Sequence, residues 1–84
     1  MWVVYILRCG DNSLYTGITN NLTERINKHN SGKGAKYTRA RLPVSLEAFL
    51  ECQGKSDAAK EEYRVKQLKR AQKLELIKCW LKSE

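Results

Sequence analysis

Strand-like apolar runs occupy residues 2–9 and 14–19, and from Leu22 the apolar spacing switches to every third or fourth residue. Trp2 to Cys9 (WVVYILRC) is apolar in both alternating sets, which predicts a central strand covered on two faces. Gly10-Asp11-Asn12-Ser13 is a turn cluster, so the run that follows should pair with the first strand as a hairpin. In that run Leu14, Thr16 and Ile18 alternate with Tyr15, Gly17 and Thr19. A three-residue loop of Gly10, Asp11 and Asn12 sets Tyr5 opposite Gly17 and Leu7 opposite Tyr15, so that both tyrosines face one side. Glycine opposite tyrosine leaves a gap through which a ligand could reach the backbone; two ordinary strand aromatics are the alternative. Asn21 then predicts an N-cap, with Glu24 three residues later completing a capping box. Leu22, Arg25, Ile26 and His29 follow at i, i+3, i+4 and i+7 and share one helical face. The two aliphatic residues make that face the buried one, yet it also carries a guanidinium and an imidazole. Charge turned inward is costly unless it is paired or reserved for a ligand.

The connection from Asn30 to Pro43 (NSGKGAKYTRARLP) has no period, and at fourteen residues it is long for a small domain. Such loops are usually functional or disordered. Gly32 and Gly34 give this one freedom, and Tyr37 is one large side chain to pack or to stack on a base. The glycine spacing is not that of a P-loop. Pro43 opens a third strand in which Val44, Leu46, Ala48, Leu50 and Cys52 alternate with Ser45, Glu47, Phe49 and Glu51, predicting one core face. Gln53-Gly54-Lys55 reads as a turn and Ser56 as the cap of a helix starting at Asp57. Ala58, Glu62 and Val65 lie on one face of that helix, with Tyr63 and Lys66 beside them. Glu62 thus turns inward, unless it serves only as the i,i+4 partner of Lys66. The tail AQKLELIKCWL spaces Leu74, Ile77 and Leu81 for a last amphipathic helix, reached through a bend near Lys69 to Ala71.

Composition narrows the function. The formal charge is +7, and it is concentrated. Residues 30–43 hold Lys33, Lys36, Arg39 and Arg41 without an acid; residues 64–73 hold Arg64, Lys66, Lys69, Arg70 and Lys73 without one. Acid-free basic blocks favour a polyanion, although solvated basic faces would read the same. Cys9, Cys52 and Cys79 are odd in number and far apart, and a single histidine leaves too few ligands for structural zinc. Free thiols acting as small buried hydrophobes are the expectation. No apolar run reaches membrane-spanning length, and WVVYIL lacks the flanks of a signal peptide. The 84 residues therefore predict one domain, soluble and cytoplasmic, with its core over about residues 2 to 80, monomeric and with no membrane contact.

V-Y-I-L on the first strand, Y-T-G on the second and R-x-x-x-H on the helix after it resemble the GIY-YIG nuclease domain. G-K-G-A-K-Y-T and E-Y-R-V-K-Q-L resemble its small bacterial branch, in which the domain stands alone. The resemblance implies an α+β fold, a small three-stranded antiparallel sheet flanked by helices in the order β-β-α-β-α-α. It also implies hydrolysis of a DNA phosphodiester, in repair or recombination, with one Mg²⁺ or Mn²⁺ ion; RNA is the second choice of substrate. Tyr5 and Tyr15 would activate or position the attacking water, Arg25 would hold the scissile phosphate, and His29 would relay protons or hold that phosphate. Glu62 would be the single metal ligand, as suits a Mg²⁺ that keeps most of its waters. Lys33, Lys36, Tyr37, Arg39, Arg41 and Lys66 are the candidate nucleic-acid contacts, with a protein partner supplying part of the target affinity. Val3 and Val4 stand where the first motif has glycine and isoleucine, and Thr16 stands where the second has isoleucine. Two other classes stay open: a module that recognises branched or single-stranded DNA or RNA without cutting it, and a small protein-interaction adaptor. The presence of Glu62 favours the enzyme over the module; an adaptor explains neither the charge nor the inward polar groups.

Overall fold

The doubly apolar first run becomes the centre of the sheet. In a computed structural model, which describes residues 1–82, β1 (Trp2–Arg8) lies between β2 (Leu14–Thr19) and β3 (Ser45–Cys52), antiparallel to both. The helices are α1 (Leu22–Asn30), α2 (Lys36–Arg39), α3 (Lys55–Lys66) and α4 (Arg70–Lys82). The short α2 is an addition to the expected order, which becomes β-β-α-α-β-α-α. Four residues are too few to show a helical period, so it could not be read from the pattern.

Hairpin register follows the parity argument. Tyr5 pairs with Gly17 and Leu7 with Tyr15. The loop closes through Asn12 N–H donating to the Cys9 carbonyl at 2.9 Å, with Asn12 at φ 70°, a left-handed conformation that asparagine tolerates. Alternation along β1 then feeds two separate cores. Val4 and Ile6 join Ala48, Ala58, Val65, Ile77 and Trp80 under α3 and α4. Tyr5, Leu7 and Cys9 join Val44, with Leu22, Ile26 and Phe49 packed against them, on the α1 side.

Three details depart from the sequence reading. β3 begins at Ser45, and its pairing with β1 slips between Ile6 and Leu7, so that Ile6 faces Ala48 while Leu7 faces Leu46. Glu47 is the extra residue, its carboxylate 3.2 Å from the Arg8 guanidinium, and the single core face expected of this strand is broken there. The third helix starts at Lys55 with Gly54 as its N-cap, two residues ahead of the expected Ser56 cap. In α4 the inward residues are Ile77 and Trp80, whereas Leu81 is exposed, and the expected bend is a true break between two helices. Of the thiols, Cys9 is buried, Cys52 half-buried and Cys79 exposed, so only the first behaves as a core hydrophobe. No described helix is long and apolar enough to cross a membrane.

Candidate active site

The N-cap of α1 forms as the sequence requires: Asn21 Oδ1 accepts from the Glu24 backbone N–H at 3.2 Å. The Glu24 carboxylate returns to the Asn21 side-chain amide, also at 3.2 Å, a side-chain variant of the capping box. This fixes the helix so that Arg25 and His29 turn toward the sheet. At the other end the Lys33 N–H reaches the Lys28 carbonyl and the Gly32 N–H reaches the His29 carbonyl, with Gly32 at φ 79°. That is a Schellman stop, which needs the left-handed residue glycine supplies most cheaply. It folds the following segment back over His29. The last turn of α1 is also tied to the start of β3, since the Asn30 side chain exchanges two hydrogen bonds with the Val44 backbone, at 2.8 and 3.1 Å.

Four of the five expected catalytic side chains converge on the α1 face. The Tyr5 hydroxyl lies 2.9 Å from His29 Nε2. The Tyr5 and Tyr15 rings are 6.4 Å apart, and Tyr15 meets the His29 ring edge-on at 5.4 Å. His29 is fully buried and Tyr5 is 1% exposed, whereas Tyr15 and Arg25 are half-exposed. The gap expected over Gly17 is filled by Tyr5 itself: a Cβ at Gly17 would stand 2.5 Å from the tyrosine oxygen. Tyr5 can lie so close to the second strand only because its cross-strand neighbour has no side chain.

Burial sets the charge states here. Desolvation is the largest influence on the Tyr5 phenol and pushes it above its ordinary value of 10.0; Arg25 pulls it back, while Tyr15 and Glu62 push it further up. Desolvation also pulls the His29 imidazole below 6.5, and the nearby Arg25 charge adds to that. At neutral pH the pair is therefore a neutral phenol and a neutral imidazole. Arg25 is the cation both groups feel, and no carboxylate pairs with it among the described residues. Its side chain lines a polar cleft of about 270 Å³ together with Thr19, Asn20, Asn21, Glu24 and Lys28.

Glu62 approaches from α3, the helix that packs against β1 and the edge strand β2. Its carboxylate is 23% exposed, 3.2 Å from Lys66 Nζ, and its charge reaches Tyr5. The i,i+4 pair is thus real, and Lys66 is committed to it. Among the described residues no three His, Cys, Asp or Glu side chains cluster as metal ligands. A half-buried lone carboxylate fits a largely hydrated Mg²⁺ or Mn²⁺, and it does not fit zinc.

The remaining basic residues divide. Lys33, Lys36 and Arg39 are exposed and without an ion pair among the described residues. Arg41, though about a third exposed, is engaged by its own chain: Nε lies 3.0 Å from Asp11 Oδ2, a terminal nitrogen donates to the Tyr37 carbonyl at 2.8 Å, and the guanidinium lies 3.9 Å over the Tyr37 ring. Tyr37 in turn stacks on Tyr15, 5.9 Å between centroids and 27° between planes. Of the two roles expected for this loop residue, packing is met by Tyr15, and the ring forms a wall of the site while staying 40% exposed. Arg64 pairs with Glu61, so the second basic block is partly neutralised from the preceding turn. Sequence reasoning missed Thr38, Gly34 and Asp11. Thr38 Oγ1 is 2.8 Å from His29 Nδ1, and a Cβ at Gly34 would run into the same ring. Their distances along the chain from the groups they serve gave no local signal.

Comparison with known proteins bears on the family and the fold. The family model described as the GIY-YIG catalytic domain matches residues 1–75. The chain is similar to a UPF0213 protein of Oceanobacillus iheyensis, 58% identical over 74 residues that cover 88% of this chain and 86% of the relative. A UPF0213 protein of Clostridium perfringens is likewise 58% identical over 74 residues, covering 88% and 80%. Among solved structures, the solution NMR structure of a UPF0213 protein from Bacillus halodurans superposes with a TM-score of 0.60 at 49% identity, covering 94% of this chain and 85% of that one.

Proposed function

The chain belongs to the GIY-YIG catalytic domain family, and from that premise we propose that it is a divalent-metal-dependent endonuclease that hydrolyses DNA phosphodiesters. What supports this reading most is the convergence of Tyr5, Tyr15, Arg25 and His29 on one face, with the Glu62 charge felt at Tyr5. Arg25, with no carboxylate partner among the described residues, would take the scissile phosphate and offset the charge that grows on it in the transition state. The cleft it lines with Lys28 is the approach for that phosphate. Tyr15, the more accessible tyrosine, would orient the attacking water. Tyr5, held by His29, would receive the proton that water gives up. Glu62 would hold the Mg²⁺ or Mn²⁺, releasing Lys66 to the nucleic-acid backbone. When bound, the ion supplies Lewis-acid polarisation of the phosphoryl oxygen. Lys33, Lys36 and Arg39 would track flanking phosphates, whereas Arg41 is better assigned to holding Tyr37.

The test is cleavage of duplex, single-stranded, flap and four-way-junction DNA and of an RNA, with Mg²⁺ or Mn²⁺. Wild type would run beside Glu62→Ala and Arg25→Ala. Metal-dependent cutting that both variants lose, while staying folded, is the expected result. Binding without cutting by any of the three would overturn the enzyme in favour of a recognition module.

A further inference from the structure

We infer that Thr38 is a positioning residue that fixes His29 as its Nδ1–H tautomer, leaving Nε2 to accept the hydroxyl proton of Tyr5. The argument is a count of hydrogens. Thr38 Oγ1 lies 2.9 Å from the Ala35 carbonyl and 2.8 Å from His29 Nδ1. A carbonyl only accepts, and a threonine hydroxyl has one hydrogen. That hydrogen goes to Ala35, so toward His29 the Thr38 oxygen is an acceptor and Nδ1 must carry the proton. Nε2 is then bare, and the 2.9 Å contact with Tyr5 is donated by the phenol. The order runs Tyr5 to His29 to Thr38 to the Ala35 carbonyl, each hydrogen pointing the same way.

The acceptor at the end of this chain is well held. The Ala35 carbonyl also accepts from the Thr38 and Arg39 backbone N–H groups, at 3.1 and 3.2 Å, in the first turn of α2. Thr38 and His29 are both fully buried, so no solvent competes for the bond between them. Gly34 lets the segment come this close, since any Cβ there would strike the imidazole. The groups facing the ring are Tyr5 from β1, Tyr15 from β2, Arg25 from α1 itself, and Gly34 and Thr38 from the connection; the nearest carboxylate influence is Glu62, acting on Tyr5. With the other tautomer, Nε2–H would donate to the Tyr5 oxygen, and a bare Nδ1 would face a Thr38 oxygen whose hydrogen is on Ala35.

The catalytic consequence rests on the nuclease reading. With its hydrogen directed at Nε2, the Tyr5 oxygen offers only lone pairs to a water. As that water gives its proton to the Tyr5 oxygen, the phenol's own hydrogen passes to Nε2. The products are hydroxide, a neutral phenol and an imidazolium whose Nδ1–H stays on Thr38, so protons and charge balance.

His29 is the only histidine in the chain, so its ring nitrogens can be read without assignment ambiguity. A two-bond ¹H–¹⁵N correlation spectrum of wild type at neutral pH should show a protonated Nδ1 and a bare Nε2. Thr38→Val should lose that pattern and lower metal-dependent cleavage about 10²-fold, while Thr38→Ser should restore both. A wild-type spectrum with the proton on Nε2 would overturn the proposal whatever the variants do. So would Thr38→Val with an unchanged tautomer, or with unchanged cleavage where the wild type cuts. A tautomer that changes as described in a protein whose wild type cuts nothing would uphold the role of Thr38 and remove the nuclease reading, which keeps the two failures apart.

Discussion

Gly17→Ala is the substitution that most directly tests how the site is built. The backbone at Gly17 is ordinary strand, so alanine meets no conformational strain; the obstacle is space. The new Cβ would lie 2.5 Å from the Tyr5 oxygen, 2.7 Å from Cζ and 3.1 Å from Cε2, where ordinary contact begins at 3.4 Å. Tyr5 must therefore retreat by about 0.9 Å (3.4 minus 2.5). It cannot do so freely, being 1% exposed and packed in the second core. Overpacking of this kind costs roughly 1–3 kcal/mol. A shift of that size also stretches the 2.9 Å bond to His29 beyond hydrogen-bonding range in the worst direction. Leaving two buried polar groups unpaired costs roughly a further 1–3 kcal/mol. Replacing glycine by alanine returns about 0.4–1 kcal/mol through the unfolded chain. The expected net loss is about 1–5 kcal/mol, a large share of the stability of a domain this size. With a urea m-value of roughly 1 kcal/mol/M, the unfolding midpoint should fall by about 1–5 M. Circular dichroism during urea titration measures it. A midpoint within about 0.5 M of wild type would mean the strands part to admit a methyl group, and the claim that Gly17 exists to make room for Tyr5 would be wrong.

Two further outcomes follow from burial. His29 has its proton affinity lowered by burial in the folded chain, so between its depressed native value and the ordinary 6.5 the unfolded state binds a proton the native state refuses. Stability should hold above about pH 6.5 and fall as pH drops below it, at up to about 1.4 kcal/mol per pH unit. Urea midpoints across pH 7 to 4.5 for wild type and His29→Gln check this, and an equal slope in both would show that another group carries it. Thr16 Oγ1 is buried with no hydrogen-bond partner, so Thr16→Val removes an unpaired hydroxyl at constant shape. That variant should be more stable by about 1 kcal/mol; a loss in thermal or urea denaturation would mean the hydroxyl is satisfied.

Most of the scaffold was legible because it is encoded locally. Loop parity fixed the pairing of Tyr5 with Gly17, and Asn21 with Glu24 announced the start of α1. The inward charge on α1 marked Arg25 and His29 as unusual before any geometry was known. What escaped reading depends on contacts between distant residues. The bulge at Glu47 leaves the alternation of β3 intact in sequence and becomes visible only against β1. Arg41 reads in sequence as one more free cation, and its pairing with Asp11, thirty positions away, appears only in the fold. Thr38 is an unremarkable threonine in an aperiodic segment, and its meaning lies wholly in the imidazole nine residues earlier.

The two cores on either side of β1 bear on how such a chain can diverge. Tyr5, Tyr15 and Gly17 belong to one side of the sheet, and Val4, Thr16 and Ile18 to the other. Two of the three departures from the family motifs, Val4 and Thr16, fall on the side away from the tyrosines. Apart from Glu62, whose charge reaches Tyr5 from α3, change under α3 and α4 is thus answerable to packing, while change under α1 is answerable to chemistry. A lineage can re-tailor the former without disturbing the latter, because a single strand separates the two kinds of selection by nothing more than odd and even position.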